Sequence, residues 1–191
     1  MFGIENYLGF VLAAILLNLT PGTDTMYIIT RSVSHGSAAG FYSVLGIISG
    51  ILVHTVFAAL GLSIILINSP LAFTIVKYIG ASYLCYLGIK MLMSKQPSLL
   101  ANHLPKSSPS APAKSIAHWQ IYKQGVLTNV FNPKVALFFL AFFPQFIDPS
   151  YAHSALSFLI LGLSFALTGF VWCSCLALLA SKFSAKLRKN P

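Results

Sequence analysis

Two long stretches of this chain contain no charged side chain. Neither residues 32–76 nor residues 149–181 include an Asp, Glu, Lys or Arg. A helix needs roughly 20 apolar residues to cross about 30 Å of hydrocarbon, so each stretch can hold a complete transmembrane helix. Over the whole chain 57% of residues are hydrophobic and 8% are charged, whereas a soluble domain carries about 25% charge. The sequence therefore predicts an all-α, polytopic membrane helix bundle in a lipid bilayer rather than a soluble core.

The apolar residues fall into five segments. These are residues 7–29, 39–67, 71–93, 121–147 and 154–180. The connection at residues 94–120 is rich in Pro, Ser, Ala and Lys, a composition that predicts a flexible loop. A short basic tail follows the fifth segment.

The basic residues are concentrated in particular connections. They are Arg31 after the first segment, Lys90, Lys95, Lys106, Lys114 and Lys123 around the long loop, and Lys182, Lys186, Arg188 and Lys189 in the tail. The connections near residues 68–70 and 148–149 carry no Lys or Arg. Because positively charged connections stay in the cytoplasm, this distribution predicts an outside N-terminus and a cytoplasmic long loop. It also accounts for the net charge of +9, so we expect no nucleic-acid partner.

Two segments are interrupted by a proline among polar residues. Pro21 lies in Leu-Asn-Leu-Thr-Pro-Gly-Thr-Asp, and Pro133 lies in Thr-Asn-Val-Phe-Asn-Pro-Lys. The predicted topology makes these two segments antiparallel. Broken helices at corresponding positions of two halves indicate the binding site of a transporter. A simple packing kink is the alternative interpretation of each break taken alone.

The spacing of the segments indicates an inverted 3+3 repeat with a broken first helix in each half. The second and fifth segments begin at similar distances after the two prolines. We expect residues 1–93 to form the first three-helix repeat and residues 94–120 to form a cytoplasmic loop. Residues 121–191 are expected to form a second repeat that is truncated after two helices, so that its last helix is missing.

Each break frees backbone groups that must find other partners. A proline inside a helix removes a hydrogen bond, and an unsatisfied backbone group is costly in hydrocarbon. We expect Thr20 and Asn132 to serve as N-caps of the second half-helices, with Pro21 and Pro133 at the first helical position. The N–H groups and positive dipole end of each half-helix then favour a carboxylate. The helix rise places both breaks near the middle of the bilayer.

Asp24 and Lys134 are the charged residues beside the breaks. Ionisable groups at this depth are costly and usually functional. The helix dipole favours Asp24 but opposes Lys134, so another interaction must hold the lysine. Two interpretations remain open. The two side chains form a structural ion pair across the repeat interface, or Lys134 binds a substrate carboxylate while Asp24 binds an ammonium group or a proton.

These arguments define a predicted substrate site around the two breaks. It consists of Asn18, Thr20, Pro21, Gly22, Asp24, Asn129, Asn132, Pro133 and Lys134. Asp24 and His54 are candidates for proton coupling, although a packed neutral imidazole is the simpler interpretation of His54. Three cysteines without a C-x-x-C pattern predict packed apolar side chains rather than redox or metal chemistry. We therefore expect no enzymatic activity and no cofactor.

Small residues recur at four-residue spacing near the second segment. Gly36 and Gly40 form one pair, and Gly46 and Gly50 form another. Small residues at this spacing let helix backbones approach closely in a membrane. The pattern predicts either tight packing within one chain or a dimer face.

Several motifs together resemble those of a known family. They are Leu-Thr-Pro-Gly at residues 19–22, Ala-Leu-Gly-Leu at 59–62, Gly-Ala-Ser-Tyr-Leu at 80–84 with Leu-Gly at 87–88, and Asn-Pro-Lys at 132–134 followed by Phe-Leu-Ala-Phe-Phe-Pro-Gln-Phe at 139–146. These motifs extend over nearly the whole chain, and they resemble those of the LysE/RhtB family of bacterial amino-acid exporters. Family members usually have Pro-Gly-Pro at the first break, where this chain has Thr23, and a sixth span.

The resemblance implies an activity and a location. It implies a secondary transporter in the bacterial cytoplasmic (inner) membrane that exports amino acids or close relatives and is driven by the proton-motive force. It also implies a homo-oligomer. A membrane channel, and a non-transporting scaffold or redox protein, are the alternatives from other classes.

Overall fold

The computed structural model describes residues 2–62, 70–93, 116–151 and 154–189. Within them the chain forms six α-helices: α1 (Tyr7–Leu19), α2 (Thr23–Phe57), α3 (Pro70–Met93), α4 (His118–Val130), α5 (Pro133–Ala141) and α6 (Ala155–Lys189). A π-helical turn at Ala58–Leu62 continues α2, and 3-10 turns at Phe143–Phe146 and Pro149–Tyr151 connect α5 to α6. Most of the predicted loop, and residues 63–67 at the end of the second predicted segment, lie outside the described residues.

The helices include membrane-spanning candidates, as the sequence predicts. In the described part of the chain, residues Thr23–Gly61 and Ala155–Lys186 are long and apolar enough to cross a bilayer. Helices α4 and α5 together form a third candidate, with a bend of 48° between His118–Val130 and Pro133–Phe146. The predicted all-α membrane fold is thus confirmed. The predicted break at Pro133 coincides with the bend.

Helix α2 consists of two helices that meet at Gly36. The Gly36 backbone has φ 84° and ψ −175°, a conformation outside the helical region. Glycine adopts this left-handed φ readily because it has no Cβ atom. The part of α2 before Gly36 is the second half of the first predicted segment, and the part after it is the second segment. Gly36 therefore forms the connection between two predicted spans rather than a packing contact.

Helix α6 is longer than predicted. The fifth segment was expected to end at residue 180, but the helix continues to Lys189. Residues 181–189 contain no Gly or Pro, and Ala, Leu, Lys and Arg are good helix formers. Ser184 Oγ also donates a 3.1 Å hydrogen bond to the Val33 carbonyl, which holds the end of α6 against α2. The basic tail is therefore a helical extension.

Phenylalanine side chains fill the centre of the bundle. The fully buried ones are Phe10, Phe138, Phe139, Phe143, Phe158 and Phe165. Three pairs of these rings meet edge to face, for example Phe10 and Phe143 with ring centroids 5.2 Å apart at 84°, an arrangement that aromatic rings prefer. This cluster joins α1, α5 and α6 beside the two helix breaks.

Helices α2 and α4 cross at two glycines. A Cβ atom on Gly46 would lie 2.9 Å from Gly125 Cα, and one on Gly125 would lie 3.0 Å from the Ser43 carbonyl oxygen. Gly50 faces the side chain of Asn129 on the same helix pair. The predicted tight packing within one chain is therefore confirmed for Gly46 and Gly50.

We expect Gly46→Ala to destabilise the bundle. The new methyl group would overlap the Tyr122 carbonyl and Gly125 Cα, which are backbone atoms and move only if the helices separate. Overpacking of this kind costs about 1–3 kcal/mol. Thermal unfolding of the purified protein measures the effect. Gly88→Ala is the matched control, since no atom lies within 4 Å of its added Cβ. Equal stability of the two variants would contradict the packing at this crossing.

Candidate functional site

The first break separates α1 from α2 by three residues. Thr20 is the C-cap of α1, and its Oγ donates a 2.8 Å hydrogen bond back to the Leu16 carbonyl. Gly22 precedes α2 with extended backbone and no side-chain cap. The prediction that Thr20 caps the second half-helix, with Pro21 at its first position, is therefore wrong. The threonine hydroxyl is satisfied within the preceding helix, and α2 begins only at Thr23.

The second break has the predicted geometry. Asn132 is the N-cap of α5, Pro133 occupies its first turn, and Asn132 Oδ1 accepts a 3.0 Å hydrogen bond from the Lys134 backbone N–H. The other end of the Asn132 amide, Nδ2, is buried without a hydrogen-bond partner. This unpaired donor lies beside the Asp24 carboxyl group.

Lys134 reaches from the second break to the first. Its Nζ donates hydrogen bonds of 3.2 Å and 2.9 Å to the carbonyl oxygens of Leu17 and Thr20. These carbonyls lie in the last turn and at the C-cap of α1, at the negative end of that helix dipole. Gly22 lies against the same ammonium group, since a Cβ there would be 3.3 Å from Nζ. The end of α1 thus supplies the interaction that Lys134 requires.

Asp24 is held from the opposite direction. Its side chain is 9% exposed, and its Oδ2 accepts a 2.8 Å hydrogen bond from Nδ2 of Asn129 in the last turn of α4. Its Oδ1 is buried without a hydrogen-bond partner. Among the described residues, no ion pair within 4 Å joins Asp24 to Lys134; each charge is held by polar groups at the other's break.

A small cavity lies between these groups. Its volume is about 20 Å³, enough for roughly one water molecule. The residues around it come from α1, α2, α5 and α6: Leu17, Asn18, Asp24, Thr25, Ile47, Ile51, Lys134, Val135, Phe165, Trp172 and Cys173. The two opposite charges therefore face a common space, surrounded mostly by apolar side chains.

The remaining predicted residues, Asn18 and His54, have different positions relative to this cavity. Asn18 lines it and donates a 3.1 Å hydrogen bond to Thr168 Oγ. His54 lies 3.3 Å from the Asn129 carbonyl and stacks on Phe139 with ring centroids 5.5 Å apart. Because a carbonyl only accepts, this contact requires the hydrogen to be on His54 Nε2.

Sequence reasoning missed the contribution of α6 to the site. Trp172 and Cys173 line the cavity, and the Trp172 indole N–H is buried without a partner. In the sequence they lie within a uniformly apolar span and carry no polar pattern. The sequence did offer one indication of this contribution. Trp172 lies in the middle of a transmembrane segment, away from the interfaces where tryptophan is enriched.

A larger groove lies on the other side of the first break. Its volume is about 600 Å³ and it runs along the first part of α2 beside α4. The lining residues are Pro21, Gly22, Thr23, Met26, Tyr27, Thr30, Arg31 and Thr128. Arg31 lies at the end away from the break, where its guanidinium bonds to Gln124 and stacks on the Tyr27 ring. Gly22, which lines the groove, also lies against the Lys134 ammonium group.

The arrangement of these helices and motifs can be compared with known families. A family profile for LysE type translocators matches residues 15–191, which include both breaks and the helices around the cavity. The chain belongs to the LysE type translocator family. This translocator is thus a membrane transport protein, as the resemblance of its motifs implies.

Individual relatives cover most of the translocator. An uncharacterized membrane protein of Pseudomonas aeruginosa is 33% identical over 188 residues, 98% of this chain and 85% of the relative. The uncharacterized membrane protein YrhP of Bacillus subtilis is 34% identical over 145 residues, 76% of this chain and 69% of the relative. A leucine efflux protein of Salmonella typhimurium is 31% identical over 177 residues, 93% of this chain and 80% of the relative. No solved structure matches.

Proposed function

We propose that this translocator is a multi-pass secondary transporter of the bacterial inner membrane that exports amino acids or close relatives. The observation that carries the proposal is a pair of opposite charges, the buried Asp24 and the partly buried Lys134, at two helix breaks beside one cavity. An α-amino acid carries an ammonium and a carboxylate on one carbon. A carboxylate and an ammonium facing a common space are complementary to that zwitterion.

The substrate site of this proposal consists of the predicted residues. Asp24 binds the substrate ammonium, and Lys134 binds its carboxylate. Asn18 and Asn132 provide further polar contacts, while Asn129 orients Asp24 through its 2.8 Å hydrogen bond. The similarity to leucine efflux proteins, at 31% identity, supports an amino acid as the substrate.

An inverted repeat accounts for the way the two breaks contact each other. Asn129, just before the second break, bonds to Asp24, just after the first. Lys134, just after the second break, bonds to the carbonyls of Leu17 and Thr20, just before the first. This exchange supports a two-fold relation between residues 1–93 and residues 121–191, with 94–120 as the cytoplasmic loop between them.

The cavity between the two charges is too small for a substrate in this conformation. A space of about 20 Å³ is much smaller than any amino acid. Transport therefore requires the half-helices to move apart. The groove along α2, which ends at Arg31, leads from the basic side of the membrane to Pro21–Gly22. We assign this groove as the cytoplasmic entrance.

The proton-motive force is the proposed energy source, with Asp24 and His54 as coupling residues. Asp24 lines the cavity and has one carboxylate oxygen without a hydrogen-bond partner, so a proton and a substrate ammonium would compete for this carboxylate. His54 lies within electrostatic reach of Asp24. Both contact Asn129, His54 through its backbone carbonyl and Asp24 through its side chain.

Export from reconstituted vesicles tests the proposal. Purified protein is placed in liposomes loaded with single amino acids, beginning with leucine, and release is followed with and without an imposed proton gradient. We expect gradient-dependent movement of substrate against its concentration difference. Release only down the concentration difference, unaffected by a protonophore, would instead establish a channel. No release of any amino acid would reject the transport proposal.

We expect residues 94–120 to lie in the cytoplasm. The measurement uses a cysteine-free background with either Ser108→Cys in the loop or Ser150→Cys in the connection before α6. A membrane-impermeant thiol reagent added to intact cells should label the second variant and leave the first unlabelled until the membrane is opened. The positive-inside distribution of lysines is the physical reason. Strong labelling of the Ser108→Cys variant in intact cells would overturn both the orientation and the assignment of the entrance.

A further inference from the structure

The Lys134 ammonium group already has hydrogen-bond partners, and they are not those expected of a residue whose only role is to bind a substrate carboxylate. Both hydrogen bonds that the structure gives to Nζ go to oxygen acceptors, the carbonyls of Leu17 and Thr20. The Asp24 carboxylate lies near enough to interact with it electrostatically. A set of helix-end carbonyls with a nearby carboxylate binds cations. The structure thus contains a cation site, and Lys134 itself occupies it.

From this geometry we infer that the Lys134 ammonium occupies the subsite for the substrate's ammonium group, as a tethered substitute for it. The inference rests on the proposed function. The second, independent observation is Asp24 itself, which lines the same cavity, is more than nine-tenths buried and has one carboxylate oxygen, Oδ1, without a hydrogen-bond partner. A buried, unpaired carboxylate oxygen is costly, and an arriving ammonium would satisfy it.

The occupation of the ammonium subsite by Lys134 has a mechanical consequence. In this conformation, Lys134 ties α5 to the end of α1 through the two carbonyls, which keeps the broken helices together around a cavity of about 20 Å³. A substrate ammonium that takes those carbonyls displaces the lysine. The four-carbon stem of lysine is flexible, so the released ammonium can turn to the substrate carboxylate. Lys134 thus holds the site closed and, once displaced, binds the carboxylate of the substrate.

The inference predicts that removal of the lysine side chain creates a binding site for small organic cations. Lys134→Ala removes the three remaining methylenes and the ammonium, a group of the size and charge of n-propylammonium. We expect n-propylammonium chloride to raise the Tm of purified Lys134→Ala protein in a saturable manner, by about 2–4 °C. The wild-type protein should show no such rise, because its own lysine fills the site.

Matched controls separate specific binding from general salt effects. Lys123→Ala removes an exposed lysine at another position and should create no site. Neutral n-propanol and anionic propionate should not stabilise Lys134→Ala protein. Adding Asp24→Asn to Lys134→Ala should weaken n-propylammonium binding at least about tenfold, because a charge-assisted contact is lost.

The outcomes are decisive without any transport measurement. Absence of n-propylammonium binding by folded Lys134→Ala protein, or equal stabilisation by propionate, would overturn the inference. If that variant does not fold, Lys134→Met retains most of the apolar volume and leaves only the position of Nζ empty. Ammonium ion, added as ammonium chloride, should then bind the Lys134→Met protein and not the wild type, and absence of this binding would equally overturn it. Amino-acid export by the wild type together with no cation binding by the variants would leave the proposed function intact.

Discussion

Asp24→Asn is expected to reduce amino-acid efflux at least about 100-fold while leaving membrane insertion intact. The asparagine has the size of the aspartate, and its carbonyl oxygen can still accept the hydrogen bond from Asn129. What disappears is the negative charge that balances a substrate ammonium, together with the group that exchanges a proton. A contact to a charged group contributes about 1.5–3 kcal/mol, and loss of proton coupling adds to this.

The measurement is efflux from preloaded vesicles, normalised to inserted protein. Insertion should not suffer, because a charged residue at mid-membrane costs about 2.5–3.5 kcal/mol on translocon scales and the amide removes that cost. Glu5→Gln is the matched control, since Glu5 is an exposed carboxylate ahead of α1. Efflux near the wild-type rate in the Asp24→Asn variant would remove Asp24 from the mechanism.

The two helix breaks show how far local sequence determines the site. At the second break, Asn132 and Pro133 are the preferred residues for an N-cap and the first helical position, and they occupy these positions. At the first break, Thr20 and Pro21 present almost the same pattern, yet Thr20 bonds backward to Leu16. At the first break the chain stays extended through Gly22, and the next helix begins only at Thr23.

The partners of the charged residues are tertiary and lie beyond local reasoning. The bonds from Lys134 to Leu17 and Thr20 join groups more than a hundred residues apart. The dipole argument identifies Lys134 as a residue that needs another partner, but not which one. The contribution of Trp172 has the same origin, because an apolar span gives no indication of which face meets the cavity.

The predicted end of α6 is wrong for a different reason. The stretch without charged side chains stops just before Lys182, so hydrophobicity alone places the end of the span there. Helix formation depends on backbone propensity as well as burial, and the basic residues after 181 are good helix formers. Hydrophobic patterning thus locates the part of a helix that lies in the bilayer and underestimates its extension into the aqueous phase.

Lys134→Met is expected to abolish efflux as completely as Asp24→Asn, and exchange of the two charges is not expected to restore it. Methionine fills the apolar part of the lysine volume but cannot donate to the Leu17 and Thr20 carbonyls. It also cannot bind a substrate carboxylate. Lys123→Met is the matched control, because Lys123 is exposed, and it should retain efflux.

The double exchange Asp24→Lys/Lys134→Asp distinguishes a substrate site from a structural ion pair. A simple ion pair keeps its attraction when the charges are exchanged. Here each charge is held by polar groups of fixed position, and an aspartate at 134 cannot donate to the carbonyls of Leu17 and Thr20. A lysine at 24 likewise cannot accept the hydrogen bond that Asn129 Nδ2 donates. Both contacts are lost, and we expect the exchanged protein to be inactive. Recovery of efflux in the exchange would show that the charges act only on each other.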